Sequence, residues 1–119
     1  MKKTLYSFPR ESRLLTPSAF SNVFDKAIPA VSPQITLLAR PNKLEIPRLG
    51  ITVPKKKVKL ASNRNRIKRC VRESFRLIAH DFPNVDIIVI AKQGVGDMDN
   101  KAIFEQLEKQ WRKLKKRCQ

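Results

Sequence analysis

Residues 48–91 read RLGITVPKKKVKLASNRNRIKRCVRESFRLIAHDFPNVDIIVIA, and the succession of patterns within them sets the architecture. In Arg48–Val53, Leu49, Ile51 and Val53 share one face and Arg48, Gly50 and Thr52 the other, the period of a strand. Pro54 closes that strand, and the loop behind it carries Lys55, Lys56, Lys57 and Lys59. Residues 62–79 then change period. At 100° per residue, Ile67, Cys70, Val71, Ser74, Phe75, Leu77 and Ile78 fall within about half of a helical wheel. Val85–Ala91 is apolar enough to be a strand buried on both faces.

The flanks extend this strand–helix–strand centre. Thr16-Pro17 is a helix start, because Thr accepts from orphan backbone N–H groups and Pro suits the first helical position. Phe20, Val23 and Phe24 recur at i, i+3, i+4, giving a short helix to about Lys26, which Pro29 and Pro33 end. Gln34–Arg40 alternates Ile35, Leu37 and Ala39 against Thr36, Leu38 and Arg40, a second strand pattern. Pro41–Pro47 is a turn or loop. Beyond Gly94 and Gly96, residues 99–116 form a last helix with Ile103, Leu107, Trp111 and Leu114 inside and Asp99 or Asn100 as its cap. The expected order is helix, two or three strands, helix, strand, helix. That is a single α+β domain of the α/β sandwich type spanning residues 1–119, with an irregular segment at 1–13 and a basic tail at 112–119.

Charge narrows the function. Twenty-six Lys and Arg against ten Asp and Glu leave +16 on 119 residues, while 41% hydrophobic content suffices for a core. Such an excess adds self-repulsion to the compact state, so it points to a polyanionic partner. A membrane surface is the weaker reading, because the longest apolar run, Ile87–Ala91, is far too short to span. Met1-Lys2-Lys3 imitates a signal-peptide start, but Pro9, Arg10 and Glu11 follow at once, so no export is expected. Cys70 and Cys118 lack metal-ligand spacing and read as reduced thiols of a cytoplasmic protein. No catalytic group stands out. His80 is the only histidine, Asp97 and Asp99 suit loop or capping roles, and nucleophile–base pairs and phosphate loops are missing.

The basic helix carries the binding signal. Opposite its apolar half lie Asn65, Arg66, Lys68, Arg69, Arg72, Glu73 and Arg76, with Arg64 at the seam. Solvated helix faces usually mix signs, because like charges at i, i+4 repel, yet Lys68, Arg72 and Arg76 are spaced i, i+4, i+8. Guanidinium groups bind phosphate bidentately and stack on bases. The helix start offers free N–H groups to an anion, just downstream of the lysine loop. The competing reading is an ordinary solvated face of a basic protein; nucleic-acid contact fits the composition better.

The run Arg64-Asn65-Arg66-Ile67-Lys68-Arg69-Cys70-Val71-Arg72-Glu73-Ser74-Phe75-Arg76 resembles the RNR signature of the protein subunit of bacterial ribonuclease P. Arg13-Leu14-Leu15-Thr16 with Phe20 and Phe24, Arg48–Lys56 and Asp86–Lys92 stand in the order and spacing of that family, from about Phe8 to Trp111. Pro54, where many relatives have Ser or Ala, and Cys70, where Leu is expected, depart from it without touching the basic string. The resemblance implies a ribosomal-protein-S5-domain-2-like fold, α-β-β-β-α-β-α, with a left-handed βαβ crossover, against the general right-handed rule.

It also implies a ribonucleoprotein endonuclease that removes the 5′ leader of precursor tRNA. The RNA subunit would carry the active site and bind Mg²⁺, and no chemistry is expected from the polypeptide itself. Partners would be ribonuclease P RNA and precursor tRNA, not DNA or membrane. Arg64, Asn65, Arg66, Lys68, Arg69 and Arg72 would contact the catalytic RNA. Phe20 and Phe24 would be platforms for the single-stranded leader, with Arg13, Arg48, Lys55 and Lys56 near its phosphates. Aromatics at i, i+4 on a short helix are otherwise core residues. The alternative function is a ribosomal or ribosome-assembly protein, which would not need aromatics lining a basic groove. A DNA-binding protein would call for a readable recognition helix and a dimer seam, and no second apolar face is present.

Overall fold

The computed structural model describes Arg13 and residues 17–118. Within them the chain forms α1 (Pro17–Asp25), β1 (Ile28–Val31), β2 (Ile35–Pro41), β3 (Arg48–Thr52), α2 (Ala61–Ile78), β4 (Val85–Ala91) and α3 (Asn100–Cys118). Short 3-10 turns follow α2 and β4. The order is the α-β-β-β-α-β-α that the family resemblance implies, with three strands where residue patterning left two or three. Thr16, expected to cap α1, and residues 1–12 lie outside the described residues.

The strands make one four-stranded sheet in the order β1-β2-β4-β3. β1–β2 and β2–β4 are antiparallel, and β3–β4 is parallel. A parallel pair needs a crossover, and α2 supplies it between β3 and β4. β1 is the element that sequence patterning leaves uncertain: its four residues contain Pro29, which reads as a helix terminator. At a sheet edge the missing N–H of proline costs no ladder bond. α3 covers that edge. Gln110 Nε2 donates to the carbonyls of Ala30 (3.0 Å) and Ile35 (2.9 Å), and Arg117 donates to that of Pro29.

Strand alternation sends side chains to two different layers. Ile35, Leu37, Ala39, Leu49, Val85, Ile87, Val89 and Ala91 face α2 and α3, where Ile67, Val71, Phe75, Ile103, Leu107 and Leu114 complete the main core. On the other face Ile88 packs on Val23 of α1, flanked by Ala19, Phe20, Leu38 and Ile90. β4 is therefore buried on both faces, as its unbroken apolar run predicts.

Trp111 lies between Phe75 and Phe82, at ring-centroid distances of 5.8 and 6.0 Å. Its Nε1 donates to Ser74 Oγ at 2.8 Å, which explains a buried serine on the apolar half of α2. Leu77 stands at the rim of the apolar half of the wheel, next to the angle of Arg66, and is 46% exposed. The α3 cap is Asp99, whose Oδ1 accepts from the Ala102 N–H at 2.8 Å; the side chain of Asn100 instead accepts from Arg66.

Candidate nucleic-acid interface

α2 begins without a side-chain cap and without an acidic residue in its first turn. Its first N–H groups and the positive end of its dipole therefore remain open to an anion. Along the helix Asn65, Lys68, Arg69 and Arg72 share one concave surface with Glu73 and Arg76. Arg76 is compensated: it pairs with Glu73, and that hydrogen bond holds the Glu73 carboxyl below its usual range. No carboxylate or hydrogen-bond partner meets Lys68, Arg69 or Arg72 among the described residues. Beneath them, burial pushes the Cys70 thiol up, against the opposing pull of Arg66 and Arg69.

Two arginines expected on this face have structural duties. Arg64 Nη1 donates to the carbonyls of Val58 (3.0 Å) and Lys59 (2.8 Å), fastening the lysine loop to the start of α2. Arg66 donates to Asn100 Oδ1 at 2.8 Å and to the Gly96 carbonyl at 3.2 Å, tying α2 to the start of α3. Each guanidinium has five N–H groups, so both keep donors for a second partner. The loop itself is a turn in which the N–H groups of Lys57 and Val58 both donate to the Pro54 carbonyl. Val58 is buried, which leaves Lys55, Lys56, Lys57 and Lys59 exposed around it.

The second surface lies on the opposite face of the sheet, under α1. Three rows run across β2, β4 and β3: Thr36–Ile90–Thr52, Leu38–Ile88–Gly50 and Arg40–Asp86–Arg48. Phe20 covers the middle row so closely that a Cβ on Gly50 would stand 2.4 Å from its Cζ. Phe24 lies one helical turn further on, on the same side of α1, and is 52% exposed. Thus Phe20 packs against the sheet, and Phe24 is the exposed aromatic of α1.

Arg40 is not among the site residues expected from the sequence, yet it seats this helix. It donates from Nη1 to the Asn22 carbonyl (2.6 Å) and Oδ1 (2.9 Å), and lies 3.8 Å from Asp25. α1 has no basic residue in its own last turn, so β2 supplies the cation that its C-terminal carbonyls favour. Alternation could place Arg40 on the α1 face, but nothing in the sequence shows its partner.

The other expected residues gather around β3. Arg48 forms a two-point pair with Asp86, from Nε at 2.8 Å and Nη2 at 2.6 Å, and the hydrogen bond raises its pKa further. Arg13 forms an isolated parallel bridge with Leu49 at the outer edge of β3. Lys55 and Lys56 follow the end of the strand, so the lysine loop joins the two surfaces along the chain.

The close fit at Gly50 gives a direct test of this second surface. Gly50→Val drives a side chain into the Phe20 ring and lifts α1 from the sheet. Overpacking of this kind costs about 1–3 kcal/mol. The expected outcome is a lower melting temperature, weakened binding of single-stranded RNA and unchanged binding through α2. Equal losses at both surfaces would show that they are not separate.

Comparison with known proteins agrees with this geometry. The family described as Ribonuclease P matches residues 8–115. The ribonuclease P protein component of Pseudoalteromonas atlantica is 58% identical over 113 residues, covering 95% of this chain and 94% of the relative. That of Klebsiella pneumoniae is 58% identical over 107 residues, 90% of each chain. Among solved structures, the Staphylococcus aureus RNase P protein superposes with a TM-score of 0.83 at 33% identity, over 87% of this chain and 95% of that one. The Thermotoga maritima RNase P protein gives 0.75 at 29% identity, over 85% and 96%. The chain, with its basic α2 face and its separate α1–sheet surface, belongs to the ribonuclease P protein family, the protein components of an endoribonuclease.

Proposed function

We propose that the chain uses its two surfaces for two RNAs: α2 grips ribonuclease P RNA, and the cleft between α1 and the sheet holds the single-stranded 5′ leader of precursor tRNA. The separation of the surfaces supports this reading. Uncompensated Lys68, Arg69 and Arg72 suit a folded phosphate-rich RNA. On the other face of the sheet, exposed Phe24 and the Arg48 guanidinium held by Asp86 suit a strand whose bases stack without being read for sequence. DNA and membrane are not partners in this reading. No helix among the described residues is long and apolar enough to cross a membrane, and the cytoplasm, where precursor tRNA is made, is the proposed location.

Cleavage needs Mg²⁺, which in this reading the RNA subunit holds. Among the described residues no three His, Cys, Asp or Glu side chains converge as a metal-binding group, and Asp99 is taken up as the α3 cap. When bound, the metal would activate the attacking water on the RNA. The chain's own contribution is to hold the leader and to place cations near the catalytic RNA.

The test combines purified protein, ribonuclease P RNA and a precursor tRNA at low Mg²⁺. The expected result is faster cleavage and tighter binding of the leader-bearing substrate than with RNA alone. No gain in either would overturn the proposal and favour a purely structural RNA-binding role.

A further inference from the structure

Among the described residues Asp86 is the only buried carboxylate, 3% exposed, the second residue of β4. An apolar residue there would continue the row of Ile88 and Ile90 on the same face, and a buried ion pair is weak grounds for stability in itself. Both carboxylate oxygens accept hydrogen bonds. Oδ1 accepts from Arg48 Nε (2.8 Å) and Asn42 Nδ2 (3.0 Å), and Oδ2 accepts from Arg48 Nη2 (2.6 Å). Asn42 also donates to the Ile46 carbonyl at 3.0 Å and accepts from the Leu44 N–H at 2.8 Å. Asp86 thus orders the loop leading into β3 as well as the first side chain of that strand.

Register adds a second point. Arg40 and Arg48 both stand directly across from Asp86, yet only Arg48 binds it; Arg40 turns to Asn22 and Asp25 of α1. The two arginines are sorted, one to seat the helix and one to lie along the sheet. Asp86 grips the Nε/Nη2 edge of Arg48, leaving Nη1, the second Nη2 N–H and the planar face. The Arg48 side chain is 28% exposed, on the sheet face that carries Phe20 and Phe24.

We propose that Asp86 is a positioning residue for single-stranded RNA, holding Arg48 edge-on so that its free edge meets a phosphate of the precursor leader. The proposal rests on the leader-cleft reading above. A guanidinium already fixed in place loses less freedom on binding than a mobile one. The geometry also carries a sign that separates positioning from bulk charge. Asp86→Asn removes a negative charge, so charge attraction alone would tighten the leader, whereas loss of positioning weakens it.

The experiment uses holoenzyme reconstituted with ribonuclease P RNA, and measures affinity for a precursor tRNA and for the same tRNA without its leader. Asp86→Asn, close in shape and still able to accept at Oδ1, is expected to weaken precursor binding roughly five- to tenfold, within the range of coupled neighbours. Leaderless tRNA should be unaffected, and the substitution should add nothing in an Arg48→Ala background. Should Asp86→Asn fail to fold, Arg48→Lys keeps the charge without the two-point grip and is expected to give a similar selective loss. Tighter or unchanged precursor binding, or equal loss for both tRNAs, would overturn the proposal. If Arg48→Ala itself leaves precursor affinity unchanged, the leader-cleft reading fails. If Arg48→Ala weakens it and Asp86→Asn does not, only the positioning role fails.

Discussion

Replacing Lys68, Arg69 and Arg72 together by alanine lowers affinity for ribonuclease P RNA about fifty-fold near 0.15 M salt. Even at the single-strand value of roughly 0.7 per phosphate contact, the lower bound for a folded RNA, three contacts flatten the slope of log K against log salt by about 2. Carried from about 1 M down to about 0.15 M salt, roughly 0.8 of a decade, that slope corresponds to about 1.7 decades of affinity. The melting temperature should barely move, because the three side chains have no carboxylate or hydrogen-bond partner among the described residues. Arg64→Ala should behave differently. It frees the Val58 and Lys59 carbonyls and so loosens the lysine loop, lowering stability along with affinity. Titrations across a range of salt, paired with thermal melts, check both outcomes. An unchanged slope for the triple variant would place the catalytic RNA on another surface.

Trp111→Ala is the largest expected loss of stability. The ring is 3% exposed, meets Phe75 and Phe82, and donates its N–H to buried Ser74. Large aromatic-to-alanine changes in a core cost about 3–5 kcal/mol, a substantial share of the roughly 5–15 kcal/mol that stabilises a domain. For a chain of this size the melting temperature should fall by roughly 10–20 °C. Trp111→Phe retains most of the packing, gives up the bond to Ser74 and should cost much less. Urea unfolding with a lower midpoint and an unchanged m-value would confirm a loss of packing alone. A drop under about 1 kcal/mol would mean that the α2–α3 contact does not depend on this residue.

Elements with a strong period are legible in the residues themselves. The continuous apolar run Val85–Ala91 is a strand buried on both faces, the amphipathic wheel of 62–79 is α2 within a residue at each end, and the stripe through Trp111 is the inner face of α3. β1 is hard to read for a physical cause: Pro29 is a breaker anywhere except at a sheet edge, and the edge exists only once β2 has paired. Leu77 is exposed because it stands at the rim of the apolar half of the wheel, beside Arg66. The arginines show the limit of the wheel. Helical period turns Arg66, Arg69, Arg72 and Arg76 outward and leaves Arg64 at the seam. It cannot show that Arg64 reaches back to the loop, that Arg66 reaches across to Asn100, or that Arg76 pairs with Glu73.

The sequence by itself determined this protein's charge, the periods of its main helices and strands and, through the Arg64–Arg76 string, its family, because charge, period and motif are properties of neighbouring residues. Tertiary structure alone decided which cations have no partner among the described residues and which are spent on the fold. It also decided that Phe20 lies against Gly50 while Phe24 stays open, and that a buried aspartate on β4 holds the arginine of β3. The aspartate and the arginine it holds are 38 positions apart in the chain. Such contacts exist only because the parallel β3–β4 pairing and the seating of α1 bring the side chains together, and no local pattern encodes that meeting.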